Sequence, residues 1–368
     1  MIRHKVTKLL RVVGRKNDRF TVAKTSRSRC LEDVKEYSPS ICHQAVMGNT
    51  ETTLSYNVGD VVSWQNSARD KLRQLVRWQD LPAGPIDVQE LWNAEDSLGS
   101  YKKICMYSES GVWMPAYICK PHTEFNGKWI ICMQGHTSGM HNSIAIDKKH
   151  ERYLWRPHGE RDFGIWCLRN GFGAVCLEQR GLGERKENKQ KDMAKHPCQD
   201  IAMQALLVGR TLLGERLFDL GVVLKYLTET NSHCLSIGVM GHSLGGTLSI
   251  YAAALYQEIS FCIASGCFSS FEDSIMNRYH CVDLYIPDIR QYFEFGDISG
   301  LIAPKPLLLI QAVNDKQFPM KGLRKEYQQT RRIYAATGMG QNLRIEIAQN
   351  GHKFYGELAT IGKSYLGL

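Results

Sequence analysis

Gly241-His242-Ser243-Leu244-Gly245 lies between an apolar run, Leu235 to Met240, and a small-residue stretch, Gly246 to Ala254, that reads as a helix. No other feature constrains the chain more. A serine flanked by glycines at a strand-to-helix junction fits a sharp, strained turn, and the glycines let strand and helix approach closely. Such a turn lifts the Ser243 hydroxyl above the edge of a sheet. It also places the backbone N–H of Leu244 at a helix N-terminus, where it can stabilise an oxyanion. The pentapeptide therefore predicts an α/β sheet with Ser243 as a nucleophile, provided that a base and an orienting acid follow.

Both follow in the order Ser, Asp, His. Pro306 to Gln311 is a continuous apolar run, as expected of a buried parallel strand, and it leads into Ala312-Val313-Asn314-Asp315. An acid just past the C-terminal end of such a strand sits where ligands bind in open α/β sheets. The plain alternative is an Asp in a turn, and Glu272 and Asp273 are rival acids after the apolar segment 261–267. Residues 343–347 alternate apolar and charged, which predicts a last strand near an edge. The loop after it carries Gly351-His352, and His352 is expected to be the base. His242 is expected to point elsewhere, and His4, His43 and His233 to be surface residues.

Lys128 to Met133 reads as a central strand ending in Gln134-Gly135-His136-Thr137-Ser138-Gly139. A glycine-bearing loop there can offer a second N–H to an oxyanion, and that of His136 is the best placed; the alternative is a plain turn.

Phe172 to Glu184, with Glu178-Gln179-Arg180-Gly181-Leu182-Gly183, resembles the D-x-R-G-x-G strand and loop of the α/β-hydrolases, with Glu178 in place of the usual Asp. Ile302-Ala303-Pro304-Lys305-Pro306-Leu307-Leu308 resembles the lead-in of their dienelactone-hydrolase-like and acetyl-xylan-esterase-like branch. The resemblance covers about residues 100–368 and rests most specifically on the serine turn and the terminal His. It implies an α/β-hydrolase fold and ester chemistry, with Ser243, Asp315 and His352 as the triad. The acetyl xylan esterases commonly carry Gln after the nucleophile. Leu244 departs from that pattern, so the resemblance does not assign xylan activity.

The formal net charge of +9 looks like a nucleic-acid signal but belongs to one segment. Residues 1–29 hold ten basic residues and a single acid, Asp18, while the remainder balances. Such a run is usually solvated or disordered. It lacks the interleaved aromatics of a single-strand binder, so no nucleic acid is expected as partner. It also lacks the apolar core of a secretory signal, although an Arg-rich, acid-poor leader is similar to a mitochondrial one. With 43% hydrophobic residues and a mean hydropathy of −0.30, the chain suits a water-soluble enzyme with a sizeable core. No apolar run reaches membrane-span length.

The twelve cysteines are scattered, without C-x-x-C spacing. Cys132, Cys176 and Cys262 lie in strand-like runs, where cysteine behaves as a small hydrophobe. The pattern predicts a reducing, cytoplasmic setting, with neither a disulfide framework nor a zinc site.

The expected architecture is a mostly parallel central sheet flanked by helices. A basic N-terminal extension, residues 1–60, precedes a catalytic domain, residues 61–368. Trp64 to Trp78 reads as a lead-in helix, and residues 101–107 and 112–119 as a hairpin opening the sheet. Strand then alternates with helix: 128–133, a helix near 160–170, 173–177, a helix near 201–228, 235–240, a helix near 245–257, 261–266, 306–311 and 343–347. An aromatic-rich insertion after the sixth strand, residues 268–303, is a candidate lid. Tyr279 and Tyr285 on it, with Phe318, are candidate pocket residues. Arg210, Glu215, Arg216 and Asp219 are expected to form ion pairs.

The expected activity is cleavage of short-acyl carboxylic esters through an acyl-enzyme, without cofactor or metal and with a small-molecule ester as substrate. A homo-oligomer is compatible with this reading. An acyltransferase would use the same triad. A serine peptidase of the prolyl-oligopeptidase type fits poorly, because too little chain precedes the hydrolase-like core for a propeller. A non-catalytic receptor on the same scaffold would not need the three residues intact.

Overall fold

In this computed structural model, residues 38–368 are described except 82–83, 110, 123, 137–138, 157, 188–196 and 232–233. The basic segment 1–29 thus lies outside the described residues, as do His4 and His233. The chain divides into two compact units, Met1–Asn49 and Thr50–Leu368. The described part of the first is chiefly the helix Pro39–Asn49, on which His43 is exposed. The second unit begins earlier than the expected boundary at residue 60. Backbone N–H groups of Thr53 and Leu54 donate to the carbonyls of Gln291 and Tyr292, and Tyr56 N donates to Asp297.

Among the described residues, nine strands form one sheet in the order β1-β2-β3-β5-β4-β6-β7-β8-β9. They are β1 (Val88–Glu95), β2 (Gly99–Glu109), β3 (Val112–Pro121), β4 (Lys128–Met133), β5 (Gly173–Leu177), β6 (Ser236–His242), β7 (Ile259–Ser265), β8 (Leu307–Ala312) and β9 (Leu343–Ala348). Pairings from β1 through β3 to β5 are antiparallel, and those from β5 through β4 to β9 are parallel. The expected hairpin is therefore β2–β3, with β1 as an additional edge strand. The insertion accordingly follows the seventh strand rather than the sixth.

The apolar runs read from the sequence are the central strands, buried along nearly their whole length. Side chains alternate across a strand. Ile130, Cys132, Cys176, Met240, Ile263 and Ile310 join one cluster with Phe163, Phe172, Phe354 and Ala359. The helices Phe163–Arg169 and Gly356–Tyr365 supply part of that layer. The helices Leu212–Thr230 and Leu244–Leu255 pack on the same sheet and are largely buried. The lead-in helix is Val61–Val76, capped by Asp60, whose carboxylate accepts from Val62 N at 3.0 Å.

The single helix expected near 201–228 is two, Pro197–Leu207 and Leu212–Thr230. Gly209 takes φ +76, and the Thr211 hydroxyl accepts from Gly214 N at 3.0 Å, capping the second helix. Among the described residues, no helix is long and apolar enough to cross a membrane.

Candidate active site

Ser243 sits between β6 and the helix Leu244–Leu255 with φ 57 and ψ −124. A non-glycine residue held there costs roughly 1–3 kcal/mol, and such strain persists only where neighbouring structure fixes it. The fixing contacts are visible. Ser243 N donates to Ser265 O at 2.8 Å. A Cβ on Gly241 would strike the backbone of Gly245, and one on Gly245 would strike the carbonyl of Met133. Both glycines of the pentapeptide are thus demanded by close backbone approach.

His352 and Asp315 meet as read from their positions after β9 and β8. His352 Nδ1 lies 2.7 Å from Asp315 Oδ2. The acid is buried at 4% exposure, and its Oδ1 accepts from Gln317 N at 2.8 Å and Phe318 N at 3.3 Å. Those bonds fix the carboxylate so that it can hold one orientation of the imidazole. The rival Asp273 instead binds Ser270 and Lys321, and Glu272 is exposed.

No hydrogen bond joins Ser243 Oγ to His352; such catalytic contacts commonly tighten only when substrate binds. The two residues are nonetheless neighbours. The ring of His242, one residue before Ser243, lies 4.4 Å from the His352 ring, and a Cβ on Gly266 would lie 3.3 Å from His352 Cε1. His242 therefore does not point elsewhere, as the sequence suggested. It packs on the candidate base, with Nδ1 3.3 Å from Ser265 Oγ. Burial first, then the nearby His352 and Arg161, push its pKa well below the usual histidine value, so it stays neutral. Phe318 stacks on His352 at 6.0 Å and 18°. Tyr279 and Tyr285 stand largely exposed on the insertion, at 69% and 46%. Of the three candidate pocket residues, only Phe318 is brought against the base.

The loop after β4 presses on the serine. A Cβ on Gly135 would come within 3.2 Å of Ser243 Cβ and 3.0 Å of His242 O. Leu244, buried, opens its helix, so its N–H is one of the donors without an intrahelical partner. Glu178, at the end of β5, reaches under this region. It accepts from Met140 N at 3.1 Å and Glu184 N at 2.9 Å. Burial raises its pKa to about 7.

A polar cluster that the sequence did not reveal adjoins the loop. His136 Nε2 lies 3.0 and 3.2 Å from the two oxygens of Asp283, on the insertion. Asp283 Oδ2 accepts from Arg216 Nη1 at 2.6 Å, and both of those side chains are fully buried. Cys198 and Cys281 complete the group, with Arg216 Nη2 3.3 Å from Cys198 Sγ. Burial works against protonated His136, but its bonds to Asp283 and Cys198 prevail and raise its pKa to about 9. Asp283 is held far below the carboxylate range: burial opposes this, and Arg216 and His136 outweigh it. The other expected ion pairs also form: Asp219 binds Arg180 and Arg185, and Arg210 binds Glu109 and Glu215.

A cavity of about 1210 Å³ is lined by Trp92, Tyr101, Lys103, Glu151 and neighbours, and Ser243, Asp315 and His352 are not among its lining residues. A much smaller hollow of about 10 Å³ is lined by Thr247, Cys267, Leu284 and Phe318 among others.

The fold is that of the α/β-hydrolases, a mixed sheet flanked by helices with a serine at the strand-to-helix turn. A candidate acetyl xylan esterase from Bacteroides fragilis superposes with a TM-score of 0.72 at 18% identity, over 89% of this chain and 95% of that one. The methylesterase BT1017 gives a TM-score of 0.64 at 14% identity over 90% of this chain and 68% of that one. A glucuronoyl esterase from Solibacter usitatus gives 0.58 at 13% identity, over 86% and 98%. In sequence, the chain is 25% identical over 292 residues to YtaP of Bacillus subtilis, a candidate hydrolase, covering 77% of this chain and 93% of the relative. No protein-family profile matches the chain.

Proposed function

We propose that the protein is a serine hydrolase of carboxylic esters carrying short acyl groups. The observation that carries this reading is the strained Ser243 beside a formed Asp315–His352 pair. In the proposed reaction Ser243 Oγ attacks the ester carbonyl while His352 Nε2 takes its proton. Asp315 holds the imidazole through Nδ1 and stabilises its cationic form. The negative charge that develops on the carbonyl oxygen is held by the N–H groups of Leu244 and His136. The C–O bond then breaks and the alcohol leaves with the proton from His352. Water, deprotonated by His352, attacks the acyl-enzyme and releases the acid.

Neutral His242 supports this assignment, because it puts no like charge against the imidazolium that forms. The esterases similar to this chain in fold support the same bond type, and the candidate hydrolase from Bacillus subtilis supports hydrolysis. A panel of acetyl, butyryl, octanoyl and aminoacyl esters tests the proposal. Turnover should be greatest for acetyl or butyryl and should vanish after fluorophosphonate labelling of Ser243. An inert protein, or a preference for octanoyl, would overturn it.

A further inference from the structure

The cluster of His136, Cys198, Cys281 and Asp283 is assembled from three distant parts of the chain: the loop after β4, the helix Pro197–Leu207, and the insertion. One ring nitrogen, two sulfurs and one carboxylate oxygen all lie within 4.8 Å of one another. We propose that these four side chains form a structural zinc site that ties the insertion to the loop beside Ser243.

The donor set suits the metal. Zinc takes four N, S or O ligands at about 2.0–2.3 Å in a tetrahedron, which puts ligand atoms roughly 3.3–3.8 Å apart. The His136–Asp283 edge measures 3.0–3.2 Å and no edge exceeds 4.8 Å, so a tetrahedron needs the first to open slightly and the longest to close by about 1 Å. The ligands are mostly buried, as in closed structural sites that leave no position for a reacting water.

Arg216 is the obvious objection, since a buried guanidinium repels a cation. Its position answers the objection. It donates to Asp283 Oδ2 and lies against Cys198 Sγ, each of which keeps further lone pairs. That is where an outer-shell partner sits when it orients a carboxylate ligand and tempers a thiolate. The charge count also closes. Zn²⁺ and Arg216 together carry three positive charges, and two thiolates with Asp283 carry three negative. His136 binds neutral, and the protons it and the thiols give up on binding pass to solvent.

The test reads metal, not ester turnover, so it stands whether or not the proposed hydrolysis holds. Full-length protein is stripped with a chelator under reducing conditions, reloaded with Zn²⁺, and analysed for bound metal. One zinc per chain is expected. Co²⁺ in its place should show the thiolate-to-metal charge-transfer band and the intense d–d bands of a tetrahedral site. Cys198→Ser and Cys281→Ser should each lose stoichiometric binding, whereas Cys105→Ser, outside the cluster, should keep it. Should a variant fail to fold, the wild-type cobalt spectrum still decides. Three results would overturn the site: folded wild type that takes up no metal, a cobalt spectrum without thiolate bands, or a Cys198–Cys281 disulfide that persists in reducing buffer.

Discussion

The imidazole of His242 lies against that of His352, 4.4 Å between ring centres and tilted by 47°. A buried neutral ring thus packs on the candidate base without setting a charge against it. His242→Ala should leave the protein folded but free the His352 ring, lowering kcat by up to about 10²-fold, the cost of a displacement near 1 Å. His242→Phe keeps a ring there and should retain more activity than the alanine variant. Steady-state kinetics on both variants checks the order; equal losses would show that the ring contact is irrelevant.

Ser243→Ala should reduce kcat by about 10⁴-fold or more without loss of fold. Mass mapping of a fluorophosphonate adduct on wild type should find it on Ser243 alone. An adduct on another serine would reassign the nucleophile.

Asp315→Asn should be nearly as damaging, by about 10⁴-fold, because the imidazole would lose the partner that sets its tautomer. Asp273→Asn and Glu272→Gln should be close to neutral, since neither side chain contacts His352 and Asp273 already binds Ser270 and Lys321. A pH–rate profile on each variant separates a lost orienting acid from simple destabilisation.

His141 gives a prediction for stability rather than rate. Burial first, then the charge of Lys148, lowers its pKa to about 4, while Asp147 and Glu151 pull weakly the other way and Lys103 adds to the lowering. The folded state therefore holds it neutral where the unfolded chain, near 6.5, binds a proton. Its contribution is present above pH 6.5 and is lost as pH falls from 6.5 through about 4. At roughly 1.4 kcal/mol per pKa unit, the loss is at most about 3–4 kcal/mol. Urea midpoints at pH 7 and pH 4.5 should fall further for wild type than for His141→Gln; parallel falls would exclude His141 as the cause.

The central strands were legible because each is a short apolar run bounded by turn formers, and the serine turn because its two glycines are forced by backbone approach. The edge strand β1 was not. Its sequence, Val-Gln-Glu-Leu-Trp-Asn-Ala-Glu, is mostly exposed and polar and lacks a run of buried residues. The break at Gly209 was readable in principle from Gly209-Arg210-Thr211, a helix stop followed by a cap, but apolar residues on both sides masked it. The Asp315–His352 pairing followed from chain order within a resembled fold. The packing of His242 on His352 and the meeting of residues 136, 198, 281 and 283 did not, since tertiary packing alone brings such groups together and no local spacing encodes it.

Asp283, which grips His136, belongs to the insertion and not to the sheet. If the His136 N–H holds the oxyanion as proposed, the segment expected to choose the substrate also sets the geometry that accelerates the reaction. Exchanging residues 268–303 for the corresponding segment of a relative would then change rate along with preference. Engineers seeking a new acyl range would have to carry Asp283 across with its graft, or alter single pocket residues such as Phe318 and leave that anchor in place.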